Sequence, residues 1–107
     1  MTDCCLVYLT APNREEATAL ARMAVTEHLA ACANLLGAIE SFYHWESKFE
    51  TNSECLLILK TTQAALPRLT ERLRAAHSYS CPAIVAVPIL GGHGEFIDWI
   101  QGEVVQV

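Results

Sequence analysis

Cys32 and His77 are the two side chains that we single out as candidate ligands of a soft metal ion, while His93, in a glycine-rich loop, is a weaker alternative. Thiolate and imidazole are the ligands that copper and zinc prefer over magnesium. Both residues also have ordinary structural interpretations, Cys32 as a small buried side chain after the first predicted helix and His77 as the cap that closes the second. Two ligands from one chain do not complete a tetrahedral shell, so a metal site would need further ligands from other copies.

Lys60 is the most informative charge, because it stands at the end of an otherwise apolar strand. An ammonium group there needs an anion or a carboxylate. One interpretation pairs it with Glu50 or Glu54. The other places it in a polar and aromatic pocket between subunits, where a small anionic ligand would bind. The residues assigned to this ligand pocket are Cys32, Trp45, Lys60, Tyr79 and Trp99. The two tryptophans have an alternative role in packing between subunits.

The sequence carries no local signature of catalysis: it has no nucleophile elbow, no phosphate-binding P-loop and no H-E-x-x-H zinc motif. The five cysteines form no C-x-x-C pair, and their odd number means that they cannot all pair in disulfides. Both features favour reduced and mostly buried thiols over a disulfide framework. Cys4 and Cys5 must point to opposite faces of their strand, so we expect both in the core. We therefore expect a binding protein and no enzyme, with catalysis by Cys32 and His77 as a rival hypothesis.

The composition predicts one domain, residues 1–107, that forms a homo-oligomer. Of its residues 52% are hydrophobic and only 18% are charged, and a domain this small covers surplus apolar surface by meeting other copies of itself. A net charge of -5 without a cluster of Lys or Arg argues against nucleic acid and anionic membranes as partners. No stretch has the length of a membrane span and the N-terminus lacks the positive region of a signal peptide, so we expect a cytoplasmic protein.

The first half of the chain predicts the strands and helix that position these residues. A continuous apolar run from Cys4 to Leu9 indicates a strand buried in mid-sheet. Asn13 can cap a first helix, with Glu16 at the reciprocal capping position. A long strand from about Ala31 to Trp45 and a second from Phe49 to Thr62 then form a hairpin around a tight turn.

The second half completes the fold. Thr62 is the expected cap of a second helix. The pattern from Ala83 to Leu90 predicts a fourth strand, in which Pro88 indicates a bulge or an edge position. A short helix from Glu95 to Ile100 follows. The order β-α-β-β-α-β plus a short C-terminal helix predicts an α+β, ferredoxin-like split β-α-β sandwich. One sheet face would carry both long helices, and the bare opposite face is where we expect subunits to meet.

Several short motifs occur in a fixed order along the chain. They are Thr10-Ala11-Pro12, Leu29-Ala30-Ala31-Cys32-Ala33-Asn34, Ser41-x-Tyr43-x-Trp45, Leu59-Lys60-Thr61, His77-x-Tyr79-x-x-Pro82, and Pro88-Ile89 with Trp99. In this order and spacing they resemble the CutA family, the divalent-cation tolerance proteins, from Leu6 to about Ile100. The resemblance implies a ferredoxin-like subunit, a very stable homotrimer similar in plan to the PII signalling proteins, and a role in tolerance of copper or another divalent cation.

Some positions depart from the family's pattern. Leu9 and Ala76 stand where bacterial members often carry a Cys and a second His that are implicated in copper binding, and Ser47 stands where Gly is usual. We therefore expect a PII-like trimer that binds a metal ion or a small ligand at clefts between subunits. The alternative is a structural or signalling trimer with no metal role.

Overall fold

The computed structural model describes residues 2–106, and the sheet is built from four antiparallel strands. The elements in chain order are β1 (Cys4–Ala11), α1 (Arg14–Thr26), β2 (Cys32–Trp45), β3 (Lys48–Thr62), α2 (Leu66–Ala76), β4 (Ile84–Pro88) and α3 (Gly94–Glu103). The strands lie in the order β2-β3-β1-β4, and every neighbouring pair is antiparallel. This is the split β-α-β arrangement of the ferredoxin-like fold, so the predicted fold class is confirmed.

Three predicted boundaries differ from the structure. β4 pairs with β1 from Ile84 to Pro88, shorter than predicted at both ends, although the Ile89 N–H still donates to the Cys4 carbonyl oxygen at 3.0 Å. The strand lies at the sheet edge, as expected. α3 continues to Glu103. Thr62 is not the N-cap of α2: its hydroxyl accepts a hydrogen bond from the Ala65 N–H at 3.2 Å, in the turn before the helix, and Ala65 itself occupies the N-cap position.

Both long helices cover one face of the sheet, as predicted. The Asn13 side chain accepts a hydrogen bond from the Glu16 N–H at 2.8 Å and so fixes the start of α1. The core beneath the helices is made of fully or nearly fully buried side chains, and its largest members are Val7, Leu9, Leu20, Leu29, Leu57, Leu59, Leu69 and Leu73. Burying each of these side chains stabilises the fold by about 1.5–3 kcal/mol. Within residues 2–106, no helix combines the length and the apolar character that crossing a membrane requires.

The opposite face of the sheet is open over most of its length. Residues that lie directly opposite one another on neighbouring strands share a face, and the register therefore places Asn34, Ile58, Tyr8 and Val85 in one row. α3 covers only the end of this surface at which Cys4 is buried. We call this surface the open sheet face; it consists of Leu6, Tyr8, Thr10, Cys32, Asn34, Leu36, Leu56, Ile58, Lys60, Val85 and Val87.

A β-bulge at Gly37 changes the side to which the rest of β2 points. The register with β3 shifts between Leu36 and Ala38, so odd-numbered residues after the bulge continue the open sheet face. β1 ends at Ala11, opposite Cys55, and the hairpin beyond it projects as a two-stranded arm, residues 39–54. The arm contributes to a longest dimension of 44 Å for the chain.

Candidate functional site

The structure divides the five predicted pocket residues between the two ends of the open sheet face. Cys32 and Lys60 lie opposite each other in the β2–β3 register, beside α3, which carries Trp99. Trp45 and Tyr79 line a cleft at the base of the arm, at the other end. A pocket that contains all five residues therefore requires more than one copy of the chain.

At the first end, the Lys60 ammonium group contacts three side chains. Nζ donates a hydrogen bond to Oδ1 of Asn34 and lies 3.3 Å from Sγ of Cys32. It also lies 6.0 Å from the ring centroid of Phe96, and that ring stacks on Trp99 with the centroids 5.4 Å apart. Lysine, thiol and aromatic rings thus form one cluster, which brings Cys32 and Lys60 together and joins them to Trp99 through Phe96, a residue that was not assigned to the pocket.

Of the two interpretations of Lys60, the one that pairs it with Glu50 or Glu54 is wrong. Both glutamates lie on the same strand as Lys60, and even the nearer one is six residues away, roughly 20 Å along an extended chain. The amide oxygen of Asn34, on the neighbouring strand, takes the place of a carboxylate. Among residues 2–106 no carboxylate forms an ion pair with this ammonium group, so an anion from outside the chain would satisfy its charge.

His77 is buried, and both of its ring nitrogens are hydrogen-bonded. Nε2 donates to the Thr10 carbonyl oxygen at 2.8 Å, and Nδ1 accepts from the Tyr79 N–H at 3.0 Å. These partners assign the neutral ring with its proton on Nε2. Oε2 of Glu16 lies 3.3 Å from Nδ1, but that oxygen accepts from the Ser78 N–H at 2.9 Å, and a charged pair with the ring would break the bond to Tyr79. The side chain therefore organises the turn that follows α2.

Cys32 and His77 do not come together in one chain. Cys32 lies opposite Lys60, whereas His77 bonds to Thr10, which lies opposite Leu56. Those two places on β3 are four residues apart, roughly 13 Å along the strand. In the described part of the chain no group of three or more His, Cys, Asp or Glu side chains could hold a metal ion. The predicted ligand pair therefore does not form a metal site within one chain.

The second end of the open sheet face contains a cleft of ≈ 490 Å³, a volume typical of small-molecule sites. Its walls come from the arm, from the end of β1 and from the loop before β4. The residues that line it are Thr10, Ser41, Phe42, Tyr43, Trp45, Asn52, Glu54, Tyr79, Ser80, Cys81 and Ala83. His77 lies behind this wall, with its ring centroid 4.9 Å from that of Tyr79. Tyr79, one of the residues assigned to the ligand pocket, thus lines the cleft together with Cys81, whereas His77 supports it from behind.

A hydrogen-bonded pair defines the polar part of the cleft. The Tyr79 hydroxyl donates to Oε2 of Glu54 at 2.9 Å, and Glu54 is only 7% exposed. Burial, reinforced by the carboxylate of Glu54, raises the pKa of Tyr79 to about 12, so the phenol remains a donor at neutral pH. Oε1 of Glu54 has no hydrogen-bond partner within residues 2–106. Every fully buried side-chain oxygen or nitrogen in this part of the chain has a hydrogen-bond partner. Because Oε1 has none, it is not fully buried and is accessible from the cleft.

Sequence reasoning missed Glu54, Tyr43 and Asn52 as cleft residues. The Asn52 amide donates a hydrogen bond to the Tyr43 hydroxyl and holds that ring against the cleft. The available signal was Gly37, because a glycine inside a strand often marks a bulge. A bulge at that position brings Tyr43 and Trp45 to the side of the arm that carries Glu54.

The remaining cysteines follow the prediction in part. Cys4 and Cys5 are buried on opposite faces of β1, which confirms their core role, and burial raises the pKa of both thiols. Cys55 is buried as well. Cys81 is exposed at the cleft. All five cysteines are free, as expected for reduced thiols.

Comparison with known proteins finds relatives that match nearly the whole chain. The model of the family described as CutA1 divalent ion tolerance protein matches residues 5–103. Protein CutA, chloroplastic, from Arabidopsis thaliana is 47% identical over 96 residues, which is 90% of this chain and 53% of the plant protein. The divalent-cation tolerance protein CutA from Thermus thermophilus is 42% identical over 96 residues, 90% of this chain and 93% of that protein. The chain thus spans about half the length of the plant relatives that it matches.

Solved structures give the same result at the level of the fold. The crystal structure of CutA1 from Oryza sativa superimposes with a TM-score of 0.96 at 40% identity, covering 99% of this chain and 97% of that one. The divalent cation tolerance protein from Thermus thermophilus superimposes with a TM-score of 0.93 at 39% identity, covering 95% of this chain and 99% of that one.

Proposed function

The chain belongs to the CutA1 family of divalent ion tolerance proteins, and from that premise we propose that it is a homotrimeric binding protein without enzymatic activity. It takes part in tolerance of, or response to, divalent cations, copper among them. It binds a metal ion or a small anionic ligand at clefts between its subunits. The division of the predicted pocket residues between two ends of one open sheet face supports this proposal, since a neighbouring copy would bring the missing residues to each end.

The exposed apolar surface supports an oligomer. Val85 on the open sheet face is 58% exposed, and Phe42 and Phe49 on the arm are 66% and 62% exposed. Large contiguous apolar surfaces on a small domain mark places where proteins meet. The arm consists of only two strands, and such a hairpin is marginally stable unless another strand or surface packs against it. A ring of three copies would cover both features.

The cluster around Lys60 supports a small anionic ligand. The ammonium group has a neutral amide oxygen and a thiol as its polar neighbours, so it can add an electrostatic attraction for a carboxylate or a phosphate. Phe96 and Trp99 provide an apolar wall beside it. The opposite end of a second copy would close this half-pocket and exclude water from it.

A metal ion, if it is the ligand, would be shared between copies. The family resemblance is the reason to expect copper or another divalent cation. The residues of one chain do not fit a tight site, because Cys32 and His77 lie apart and Leu9 and Ala76 occupy the usual ligand positions. Trimer symmetry would supply the missing ligands. The expected stoichiometry is then one ion per trimer near the axis, or one per interface.

A cytoplasmic location completes the proposal. Five free cysteines suit a reducing compartment. Relatives are named as a chloroplastic protein in Arabidopsis thaliana and a periplasmic one in Archaeoglobus fulgidus. Fractionation of the source cells with an antibody against the chain tests the location directly, and recovery outside the cytoplasmic fraction would contradict it.

Native mass spectrometry of protein purified without added metal tests the assembly and the ligand together. We expect the mass of three chains, with any retained ion or small molecule visible as an additional mass. A monodisperse monomer would contradict the trimer. Three chains without any ligand, even after copper or phosphate is added, would favour the second candidate, a structural or signalling trimer. The lack of a three-residue metal group in the described part of one chain favours that candidate over an independent metal site in each subunit.

A further inference from the structure

The two ends of the open sheet face carry opposite charges. At one end the Lys60 ammonium group lies beside an amide and a thiol, and no carboxylate among residues 2–106 forms an ion pair with it. At the other end Glu54 is the acidic residue of the cleft, whose described lining includes no Lys, Arg or His. The two ends are therefore electrostatically complementary, although they lie too far apart to meet within one chain.

Ring symmetry constrains which ends meet in the proposed trimer. In a ring of identical copies each copy uses two different surfaces, so that one surface of a copy meets the other surface of the next. The Lys60 end and the cleft are two such surfaces, and each exposes a tryptophan, Trp99 and Trp45 respectively. Contact between like ends would bring like charges together, which is costly at an interface. The arrangement that avoids this cost places the Lys60 end of one copy against the cleft of the next.

A pocket assembled in this way contains one positive and one negative group among aromatic rings. One copy contributes Lys60 and the stacked rings of Phe96 and Trp99. The next copy contributes Glu54, whose carboxylate accepts from the Tyr79 hydroxyl, and the aromatic side chains of its arm. The cleft has a volume of ≈ 490 Å³, so a small molecule fits between the two charges.

We propose that the assembled pocket binds a small zwitterion with an apolar body, of the kind represented by an amino acid with an aromatic side chain. Its carboxylate accepts from the Lys60 ammonium group of one copy, and its primary ammonium donates to the Glu54 carboxylate of the next. Rings from both copies cover its body. The inference rests on the proposed function and deepens it, because it names the ligand class of the pocket between subunits.

The two charges of the pocket favour a zwitterion over simpler ligands. An anion without an ammonium group pairs with Lys60 but is repelled by Glu54, and a cation without a carboxylate pairs with Glu54 but is repelled by Lys60. Each of these ligands also leaves one charge of a closed pocket without a partner, which is costly. A zwitterion satisfies both charges at once.

Three probes with the same ring and different charges test the ligand class. L-Phenylalanine carries both charged groups, 3-phenylpropionate carries only the carboxylate, and 2-phenylethylammonium carries only the ammonium. In calorimetric titrations of the wild-type protein at neutral pH, we expect L-phenylalanine to bind at least about tenfold more tightly than either of the others, the ratio for a hydrogen bond to a charged group. Equal or tighter binding of a singly charged probe, or no detectable binding of L-phenylalanine, would overturn the proposal.

Two substitutions assign each charged group of the ligand to one residue. Lys60→Met should weaken L-phenylalanine binding by about tenfold or more without weakening 2-phenylethylammonium binding. Glu54→Gln should weaken L-phenylalanine binding by about the same factor without weakening 3-phenylpropionate binding. The matched controls are Lys48→Met, at the exposed tip of the arm, and Glu40→Gln, on the side of the arm opposite Glu54. Unchanged L-phenylalanine binding in either test variant, or an equal loss in its control, would contradict the assignment.

Trimers that contain both variants test whether the two residues come from different copies. In a ring that mixes Lys60→Met and Glu54→Gln copies, one pocket receives Lys60 from a Glu54→Gln copy and Glu54 from a Lys60→Met copy, so this pocket is intact. Co-expression in equal amounts should therefore restore wild-type affinity for L-phenylalanine at about a quarter of the wild-type number of sites. No restored sites would show that the pocket is not assembled from these two residues of neighbouring copies.

Native mass spectrometry of the same samples separates this inference from the proposed function. The mass of one chain would contradict the trimer and the assembled pocket with it. The mass of three chains, with no preference for L-phenylalanine over the singly charged probes, would contradict the zwitterion alone and leave the trimer in place. The wild-type titrations need no substitution, so the test holds even where a variant fails to assemble.

Discussion

The Tyr79 hydroxyl donates a 2.9 Å hydrogen bond to Oε2 of Glu54, although the two residues are 25 positions apart in the chain. The bond joins the loop before β4 to the base of the arm and so closes one side of the cleft. Behind it, the same loop is fixed by the buried His77, whose Nδ1 accepts the Tyr79 N–H. The cleft is therefore a preorganised part of the fold, since hydrogen bonds hold both Tyr79 in its wall and His77 behind that wall.

Removal of this hydroxyl should make the stability of the protein less sensitive to alkaline pH. The pKa of Tyr79, about 12, lies above its ordinary value of 10.0, so between those two values the folded protein keeps a proton that the unfolded chain has lost. The contribution of Tyr79 to the free energy of unfolding is therefore complete below about pH 10 and is lost as the pH rises to about 12. Tyr79→Phe should cost about 1 kcal/mol at neutral pH, and this difference from wild type should shrink at alkaline pH.

Urea unfolding of both proteins at about pH 8 and about pH 11, with the subunit concentration held fixed, measures this change. All other side chains are common to both proteins, so the difference between the two proteins reports on the Tyr79 hydroxyl. A difference that is equal at the two pH values would contradict the expected linkage.

Replacement of Ser47 by glycine should stabilise the protein. Glu46 and Ser47 form the turn at the tip of the arm with φ angles of 51° and 66°, a left-handed conformation that costs a residue with a Cβ roughly 1–2 kcal/mol. Glycine avoids this cost but gains freedom in the unfolded chain, so we expect Ser47→Gly to raise the free energy of unfolding by up to about 1 kcal/mol. Ser53→Gly, inside β3, is the control and should lower the free energy of unfolding. Destabilisation by both substitutions would mean that the turn is not strained.

The bulge at Gly37 shows what the sequence could and could not predict. The alternation of β3, with Cys55, Leu57 and Leu59 buried on one face, could be predicted because strand side chains alternate strictly and both ends of the hairpin are marked. The face of Tyr43 was not predicted, since a shift of one residue in register reverses every side chain that follows it, and Gly37 marks the place of the bulge without fixing the register beyond it.

The partner of Lys60 could not be predicted for the same reason. Its need for a polar neighbour follows from its place on an apolar strand, but the neighbour, Asn34, comes from the adjacent strand and depends on the register. The predictions that Thr62 caps α2 and that β4 extends to Leu90 were wrong for a related reason, since helix and strand ends are fixed by tertiary contacts more than by local propensity. The helix-covered core, which depends only on periodicity, was correctly expected on one face of the sheet.

Lys60→Met should abolish anion binding while the protein remains folded. The substitution keeps a long apolar stem against Phe96 and removes the charge, so we expect the affinity for inorganic phosphate and for citrate to fall by about tenfold or more. Lys48→Met, at the exposed tip of the arm, is the matched control and should leave binding unchanged. Calorimetric titration gives both affinities. Anion binding by Lys60→Met that equals wild type would show that the Lys60 cluster is not the anion site.

Trp45→Ala should weaken the proposed trimer. Trp45 is 50% exposed on the continuation of the open sheet face, where a neighbouring copy would bury it. Loss of an aromatic anchor at an interface costs about 2 kcal/mol or more, so dissociation should appear at subunit concentrations at least about tenfold higher than for wild type. Sedimentation over a range of micromolar concentrations measures this shift, and Val25→Ala on α1 is the control. An unchanged sedimentation profile would remove Trp45 from the interface.

Metal binding should depend on Cys32 and on assembly. Since the residues of one chain do not form a site, we expect weak binding of copper and zinc with one ion per trimer or one per interface, and still weaker binding of magnesium. Cys32→Ser should reduce copper affinity by about tenfold or more, whereas Cys81→Ser, which removes the exposed thiol at the cleft, should leave it unchanged.

His77→Ala calls for a second readout, because the substitution also removes the hydrogen bonds to Thr10 and Tyr79. Urea unfolding of this variant, without metal, measures the structural loss, which we expect to reach about 1–3 kcal/mol. If His77 is also a ligand, its copper affinity falls while the trimer stays intact in native mass spectrometry. Submicromolar copper binding that both Cys32→Ser and His77→Ala leave untouched would exclude this ligand pair, and no binding by the wild-type trimer would leave the structural or small-ligand trimer as the better account of the protein.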